Sequence, residues 1–562
     1  MVSTKRNINI NFLLTLAIFV ISTQVIGQSS RHYGLFYSIP YFEPKQINPI
    51  HGSYYLDGVQ ANELMYSRLW TWKKDVSETS DLVDNISPSG FGKMIRTPGT
   101  AQGDFSWKIE IRPNVKWPDG VPLSAKDVKF SFEVYNSDIT QHSLRPWLKL
   151  IKNIEIINET TIQFYVDQKN LKIVQYILPL VQILPEHMID SNYLAKNSIF
   201  AERPMGSGPF QYNPDSDIGE NKYSFTRNDN YYKWGPLSNI SSVNIYEERI
   251  LSSVIGKIAV EDRKENWETL DLLISVPNSP QNYDNLYEQA QDHLTFESYS
   301  SNSWFAIALN CEKPFLANQE IRQALTMGVN IQNAISDHYA KVPKGGSDVL
   351  IANRISGPFN PLWGMGDATI APRSYDPKEA DNILKKNGSI IKNNHRQFKG
   401  SVIKLRMIYN MGRVFQGSPE ELVINQLIND LKRLKIEITP VRLAASDFDK
   451  ALAKGEYDLA FQYYELGYGS NIAPLFTEGD VMNIANYSDP ILTAYLKSFN
   501  RASGVQRGEI GRDIHKLIYE KSPYIFLYRL DKIMAYRNEL QTEGKIVPKY
   551  FFTHIGDWYF RD

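Results

Sequence analysis

Residues Ser106–Glu133 read SWKIEIRPNVKWPDGVPLSAKDVKFSFE, and three local signals succeed one another within them. Trp107, Ile109 and Ile111 alternate with Lys108, Glu110 and Arg112, the period of a strand with one buried and one wet face. Trp117-Pro118-Asp119-Gly120 then supplies a tight turn, because proline presets φ at the second position and glycine tolerates the backbone angles that close the turn. Ser124 and Asp127 form an S-x-x-D pattern, in which the hydroxyl accepts a first-turn N–H and the carboxylate favours the positive end of a helix. Ala125, Val128, Phe132 and Tyr135 share one stripe of that helix. By physics alone the module is a strand, a turn and a helix that pack a core.

The order of these residues says more. Trp117, Asp119-Gly120 and Ala125-x-Asp127-Val128 resemble the signature run of the family 5 extracellular solute-binding proteins, the peptide- and nickel-binding receptors of ATP-driven importers. Further phrases resemble the same family: Pro204-Met205-Gly206-Ser207-Gly208-Pro209-Phe210, Asn228 to Trp234, ALNCEKPFLANQEIRQAL from Ala308, Tyr375-Asp376-Pro377, and Gly455-Glu456-Tyr457-Asp458-Leu459-Ala460. The resemblance implies an α/β fold, a two-lobed periplasmic binding protein of type II enlarged by an extra subdomain in lobe one. It divides the chain into a signal peptide (1–27), lobe one (28–298, with the extra subdomain at 70–195), lobe two (299–522) and a return to lobe one (523–562).

Composition agrees with a large soluble globular chain. At 562 residues it exceeds the size at which a single core keeps growing, so at least two domains are expected. A formal net charge of −1 offers no field for nucleic acid or an anionic membrane, and neither is expected as a partner. Lys5 and Arg6, the apolar run Phe12–Ile21 and Val25-Ile26-Gly27 read as a cleaved secretory signal. No cysteine stands directly after that run, so a lipid anchor on a processed N-terminal cysteine is not expected, and export points to the periplasm. Cys311 is the single cysteine, which leaves stability to the core. A permease would lie in other chains, and the receptor itself is expected to be a monomer without a cofactor or metal.

Local patterns place the remaining elements. Ile154–Ile156 and Thr161–Val166 read as a hairpin around Asn158-Glu159-Thr160. Asn318 and Asp376 precede helical periodicities that they can cap, and a long helix is expected from Pro419 to Leu434. One strand is expected from Thr295 through Trp304 to Asn310, and another at Pro523–Tyr528, which in the family crosses back to lobe one.

The ligand site is expected where the family's loop after the Asp458-Leu459-Ala460 strand faces the cleft. The resemblance puts Tyr464 in its aromatic place and Gly467 where peptide receptors carry an aspartate for the ligand's ammonium group. Glu465 is the nearest carboxylate, and a buried ammonium needs such a partner to offset desolvation. Asn302 and Trp304 on the crossover strand, Tyr463 and Tyr468 beside Tyr464, and Tyr54 and Tyr55 in an early turn complete the expected lining, since pockets are mostly aromatic with few polar anchors. The resemblance implies a peptide or similar small polar solute as guest, with a sugar or metal chelate as the alternative. An enzyme is the rival class: G-x-S-x-G and H-E-x-x-H are absent, while a pair of carboxylates acting as a glycosidase leaves no sequence motif to search for.

Overall fold

The computed structural model describes residues 33–561 except 40–46, 52–55, 73–77, 81–93, 101–102, 139, 141–143, 168–176, 190–199, 201–202, 217–221, 249, 265, 267, 277, 300–302, 345–346, 360–365, 466–471, 503 and 543–550. The alternating segment is the strand Gly103–Glu110, with Trp107, Ile109 and Ile111 buried. Gly120 takes φ +89° and donates its N–H to the Trp117 carbonyl at 2.9 Å. The helix runs Ala125–Asn136 behind a complete capping box of Ser124 and Asp127.

That box has a second partner. The buried Asp127 carboxylate accepts the Ser124 N–H at 2.8 Å and also the Glu186 N–H at 3.0 Å. Asp119 in the turn meets His187 Nε2 at 2.8 Å. Desolvation raises the Asp127 pKa, against the lowering effect of the bonds from Ser124 and Glu186. The two carboxylates of the motif therefore fasten the turn and the helix start to one short segment 59 or more residues away in sequence.

The hairpin Ile151–Asn158 and Thr161–Val166 adds to Gly103–Glu110, and Met94–Thr100 completes a four-stranded antiparallel sheet. Phe132 meets Phe164 edge-on at 4.9 Å, so the helix packs on this sheet. Its core is continuous with that of a seven-stranded sheet ordered 294–299, 532–537, 272–273, 33–39, 240–247, 222–227, 210–212. Gly206 and Gly208 press against the end of the Leu56–Met65 helix, where a Cβ on either would strike the Met65 carbonyl group. Gly208 donates to that carbonyl oxygen at 2.7 Å. Glycine is needed there for space.

A second sheet of six strands is ordered 352–354, 524–530, 303–309, 459–465, 404–410, 437–443. Asn318 and Asp376 cap their helices by side-chain acceptance, at Gln319–Met327 and Pro377–Lys386, and the long helix is Pro419–Arg433. Two expectations change. The stretch from Thr295 to Asn310 is two strands, Leu294–Tyr299 in the first sheet and Ser303–Leu309 in the second. Tyr524–Leu530 pairs within the second sheet, so the chain returns to the first sheet at Asp531 and not at residue 523. The nearly continuous apolar runs of Ser303–Leu309 and Tyr524–Leu530 mark burial on two faces, which says nothing about which sheet receives them.

His515 is buried against Ser356, Gly357 and Asp367. The Asp367 N–H donates to its Nδ1 at 2.9 Å, so the ring proton sits on Nε2, 3.1 Å from Ser356 Oγ. Burial lowers its pKa, a nearby Arg529 adds to the lowering, and Ser356 and Asp367 oppose it.

Two outcomes are expected. Asp127→Ala costs about 2 kcal/mol in a denaturant melt, with the exposed Lys126→Ala near zero. Because the folded His515 titrates below its ordinary value, the unfolded chain takes the proton first, and stability is lost as pH falls below about 6.5. His515→Asn flattens that part of the stability–pH profile, and a profile unchanged by the substitution assigns the slope to other groups.

Candidate functional site

The two sheets are joined by one pair of adjacent strands. In the first sheet Leu294–Tyr299 pairs antiparallel with Lys532–Arg537, ending at Tyr299 opposite Lys532. In the second, Ser303–Leu309 pairs antiparallel with Tyr524–Leu530, beginning at Trp304 opposite Arg529. The same two chain segments thus form both halves of a ribbon that passes from sheet to sheet. On one side of this ribbon a single apolar core includes Phe36, Leu273 and Ile533 with Phe305, Ile307 and Tyr528. On the other side the cores are separate, one around Trp107 and Tyr37 and one around Trp304 and Tyr464. The lobes are continuous along one face and divided along the other.

Trp304 and Tyr464 lie on the divided side. They face each other across the strand pair, stacked with centroids 4.2 Å apart and an interplanar angle of 27°. Tyr524 meets the Trp304 ring edge-on at 6.3 Å, and Phe526 lies 5.4 Å away. Trp304 is 0% and Tyr464 8% exposed, so both rings are packed into lobe two. Burial first, then the neighbouring Tyr524 hydroxyl, raises the Tyr464 pKa far above its ordinary value. The Trp304 Nε1 is buried without an acceptor.

Tyr463 points the other way, as the period of two requires. Its ring packs on Phe305 at 5.1 Å and beneath the Arg413 guanidinium at 4.1 Å, in the shared core's half of the sheet. Glu465 ends its strand opposite Ser303. Its side chain, and Tyr54, Tyr55, Asn302, Gly467 and Tyr468, lie outside the described residues.

One residue of this region escaped the sequence reading. Arg529, directly opposite Trp304, is 6% exposed. Its Nη2 donates to the Phe359 carbonyl at 2.9 Å, while Nε is buried without an acceptor. Desolvation brings its pKa down to about 10, with Asp531 opposing. A lone cation in the otherwise apolar run Tyr524–Leu530 was the available signal. Among the described residues no group of three or more His, Cys, Asp or Glu side chains is placed to hold a metal ion. The chemistry at hand is an aromatic stack beside one incompletely bonded guanidinium.

The burial of the stack sets a stability expectation. Trp304→Ala costs about 3–5 kcal/mol, and Tyr464→Ala also destabilises the unliganded chain because it strips one face of the indole. Denaturant melts check both. A loss below about 1 kcal/mol for Trp304→Ala contradicts the packing described.

Comparison with known proteins agrees with this architecture. Residues 98–477 match the family described as bacterial extracellular solute-binding proteins, family 5 middle. A Brucella ovis protein, provisionally named an ABC transporter peptide-binding protein, is 24% identical over 307 residues. That match covers 51% of the chain, and the chain spans about half the length (52%) of this relative. The oligopeptide-binding protein AppA of Bacillus subtilis is 22% identical over 482 residues, 81% of each chain. Its structure, solved with a nonapeptide, superimposes with a TM-score of 0.71 over 95% of this chain and 100% of its own, at 18% identity. NikA of Brucella suis, solved with Fe(III)-EDTA, gives 0.74 over 94% and 100%, at 16% identity. At these identities the structural likeness establishes the fold, and the match over residues 98–477 establishes the lineage: the chain belongs to the bacterial extracellular solute-binding proteins of family 5.

Proposed function

We propose that this chain is the solute-capturing receptor of an ABC importer, which closes its two lobes on a peptide or similar small polar solute. The observation that carries the reading is the strand ribbon with separate cores on one side. Two lobes that share a core on one face and are linked by one pair of strands reorient by small dihedral changes at the crossings, near Tyr299 and at Asp531. The guest lies on the divided side, with Trp304, Tyr464 and Arg529 supporting the lobe-two wall and residues near Tyr54, Tyr55, Asn302, Glu465 and Tyr468 completing it. Capture is a population shift toward the closed form, with no bond made or broken.

The biological setting comes from the same reading. The chain is exported by the signal at 1–27, works as a monomer in the periplasm, and delivers its guest to a membrane permease encoded elsewhere. The family's description as extracellular and the relatives named for ABC transporters support it.

A thermal-shift screen of di- to pentapeptides, sugars and metal chelates tests the proposal. A guest at about 100 times its dissociation constant adds roughly 2.7 kcal/mol of stability. Peptide hits without turnover support the reading; sugar or chelate hits alone move it to the alternative guest; turnover of a hit overturns it in favour of an enzyme. Arg529→Gln lowers affinity for a carboxylate-bearing hit at least tenfold while sparing a neutral analogue, read by calorimetry. Equal losses for both remove Arg529 from the site.

A further inference from the structure

Lobe two contains a polar recess between Thr326 of the Gln319–Met327 helix, the edge strand Ala352–Arg354, Arg373, the last turn of the Gly504–Lys521 helix, and Tyr524 and Phe526. Two arginines line it. Arg354 Nη2 donates to the Arg373 carbonyl at 2.7 Å, and its Nε is buried with no acceptor. Arg373 Nη2 donates to the Tyr519 carbonyl at 3.0 Å, with the guanidinium 4.2 Å above the Tyr519 ring.

A neighbour shows what a purely structural arginine does here. Arg322, buried where Arg354 and Arg373 are half-buried, donates to four carbonyls, those of Leu316, Ala317, Lys521 and Ser522, through all three guanidinium nitrogens. Each guanidinium has five N–H donors in a fixed fork. Arg354 and Arg373 each commit one nitrogen to a carbonyl, and neither forms an ion pair among the described residues. Burial lowers both pKa values, and among the described residues the carboxylate acting on either is that of Glu520, on Arg373. Two half-buried like charges, one with a buried Nε that has no acceptor, cost stability unless an anion joins them.

The surroundings narrow the anion. The Ser356, Thr326 and Ser522 hydroxyls donate to the carbonyls of Ile370, Arg322 and Tyr519, so their protons are committed and the guanidinium forks must do the recognising. The carbonyl end of the helix would by itself repel an anion, but Arg322 and Arg373 already cover it. The centre of a water-sized sphere can move through about 20 Å³ of the recess, room for one small ion and not for a peptide chain.

We propose that Arg354 and Arg373 form a binding site for one tetrahedral oxyanion of phosphate or sulfate size, distinct from the Trp304 and Tyr464 wall. Occupation ties the end of the Gly504–Lys521 helix to the edge strand and so stiffens the lobe-two side of the return strand.

The test uses the full chain, with no cleft guest, melted in chloride at constant ionic strength as phosphate, sulfate or acetate is substituted, alongside calorimetric titration with inorganic phosphate. The expected result is a saturable rise in Tm with phosphate or sulfate that acetate does not give. The rise disappears in Arg354→Gln and Arg373→Gln and persists in Arg203→Gln, whose exposed partner is Asp215. Should the glutamine variants fail to fold, Arg354→Lys and Arg373→Lys keep the charge, lose the fork, and weaken phosphate binding at least tenfold. Chloride or acetate matching phosphate, a response surviving the arginine substitutions, or no saturable heat in the wild-type titration each overturns the site.

Discussion

The pairing of Ser303–Leu309 with Tyr524–Leu530 is the constraint on which the rest of the molecule depends. All seven residues of Ser303–Leu309 are buried, and the strand has two different faces. Trp304, Ala306 and Ala308 lie in one core and Phe305, Ile307 and Leu309 in the other. A slip of one residue would exchange them, driving the indole into the core shared by the lobes and leaving alanine steps where larger side chains fill space. The small residues have a purpose where they are: Ala306 and Ala308 stand opposite Phe526 and Tyr524, whose rings need that room. Register in lobe two thereby also fixes where both chain segments leave it, and so fixes the joint between the lobes.

The family signature turns out to be a fastening. Asp119 and Asp127 reach His187 and the Glu186 N–H, and Trp117 is wholly buried. None of these residues lies beside Trp304 or Tyr464. Their spacing lets a turn residue and a helix cap present carboxylates to two neighbouring residues of one distant segment. A motif can thus report a lineage, and through it a function, while its own residues serve packing and hydrogen bonding.

Buried arginines divide into two kinds. Arg322 and Arg537 spend their donors on backbone carbonyls, and Arg537 adds the buried Asp271. Such groups cross-link loops that have no regular partner for their carbonyl oxygens. Buried Arg529 and half-buried Arg354 each keep a buried Nε without an acceptor, and half-buried Arg373 gives one nitrogen to a carbonyl. The distinction rests on hydrogen-bond accounting, because residue type and burial alone do not separate the two groups.

Much of this was legible in the chain itself, wherever the determinant was local. The alternation at Trp107–Ile111, the caps at Ser124, Asn318 and Asp376, and the hairpin at Asn158–Thr160 depend on neighbours a few residues away and are written in periodicity and side-chain reach. Family and fold class came from motif spacing. The side of the sheet was not legible: Tyr463 and Tyr464 are adjacent aromatics, yet one packs on Phe305 and the other on Trp304, because successive residues alternate across a strand whose two faces are both apolar. Nor did the chain reveal that Arg529 stands opposite Trp304, or that Arg354 and Arg373 share a recess with Tyr519. Those neighbours are brought together from distant parts of the sequence, and only the folded register and packing decide which charges meet and which donors remain unspent.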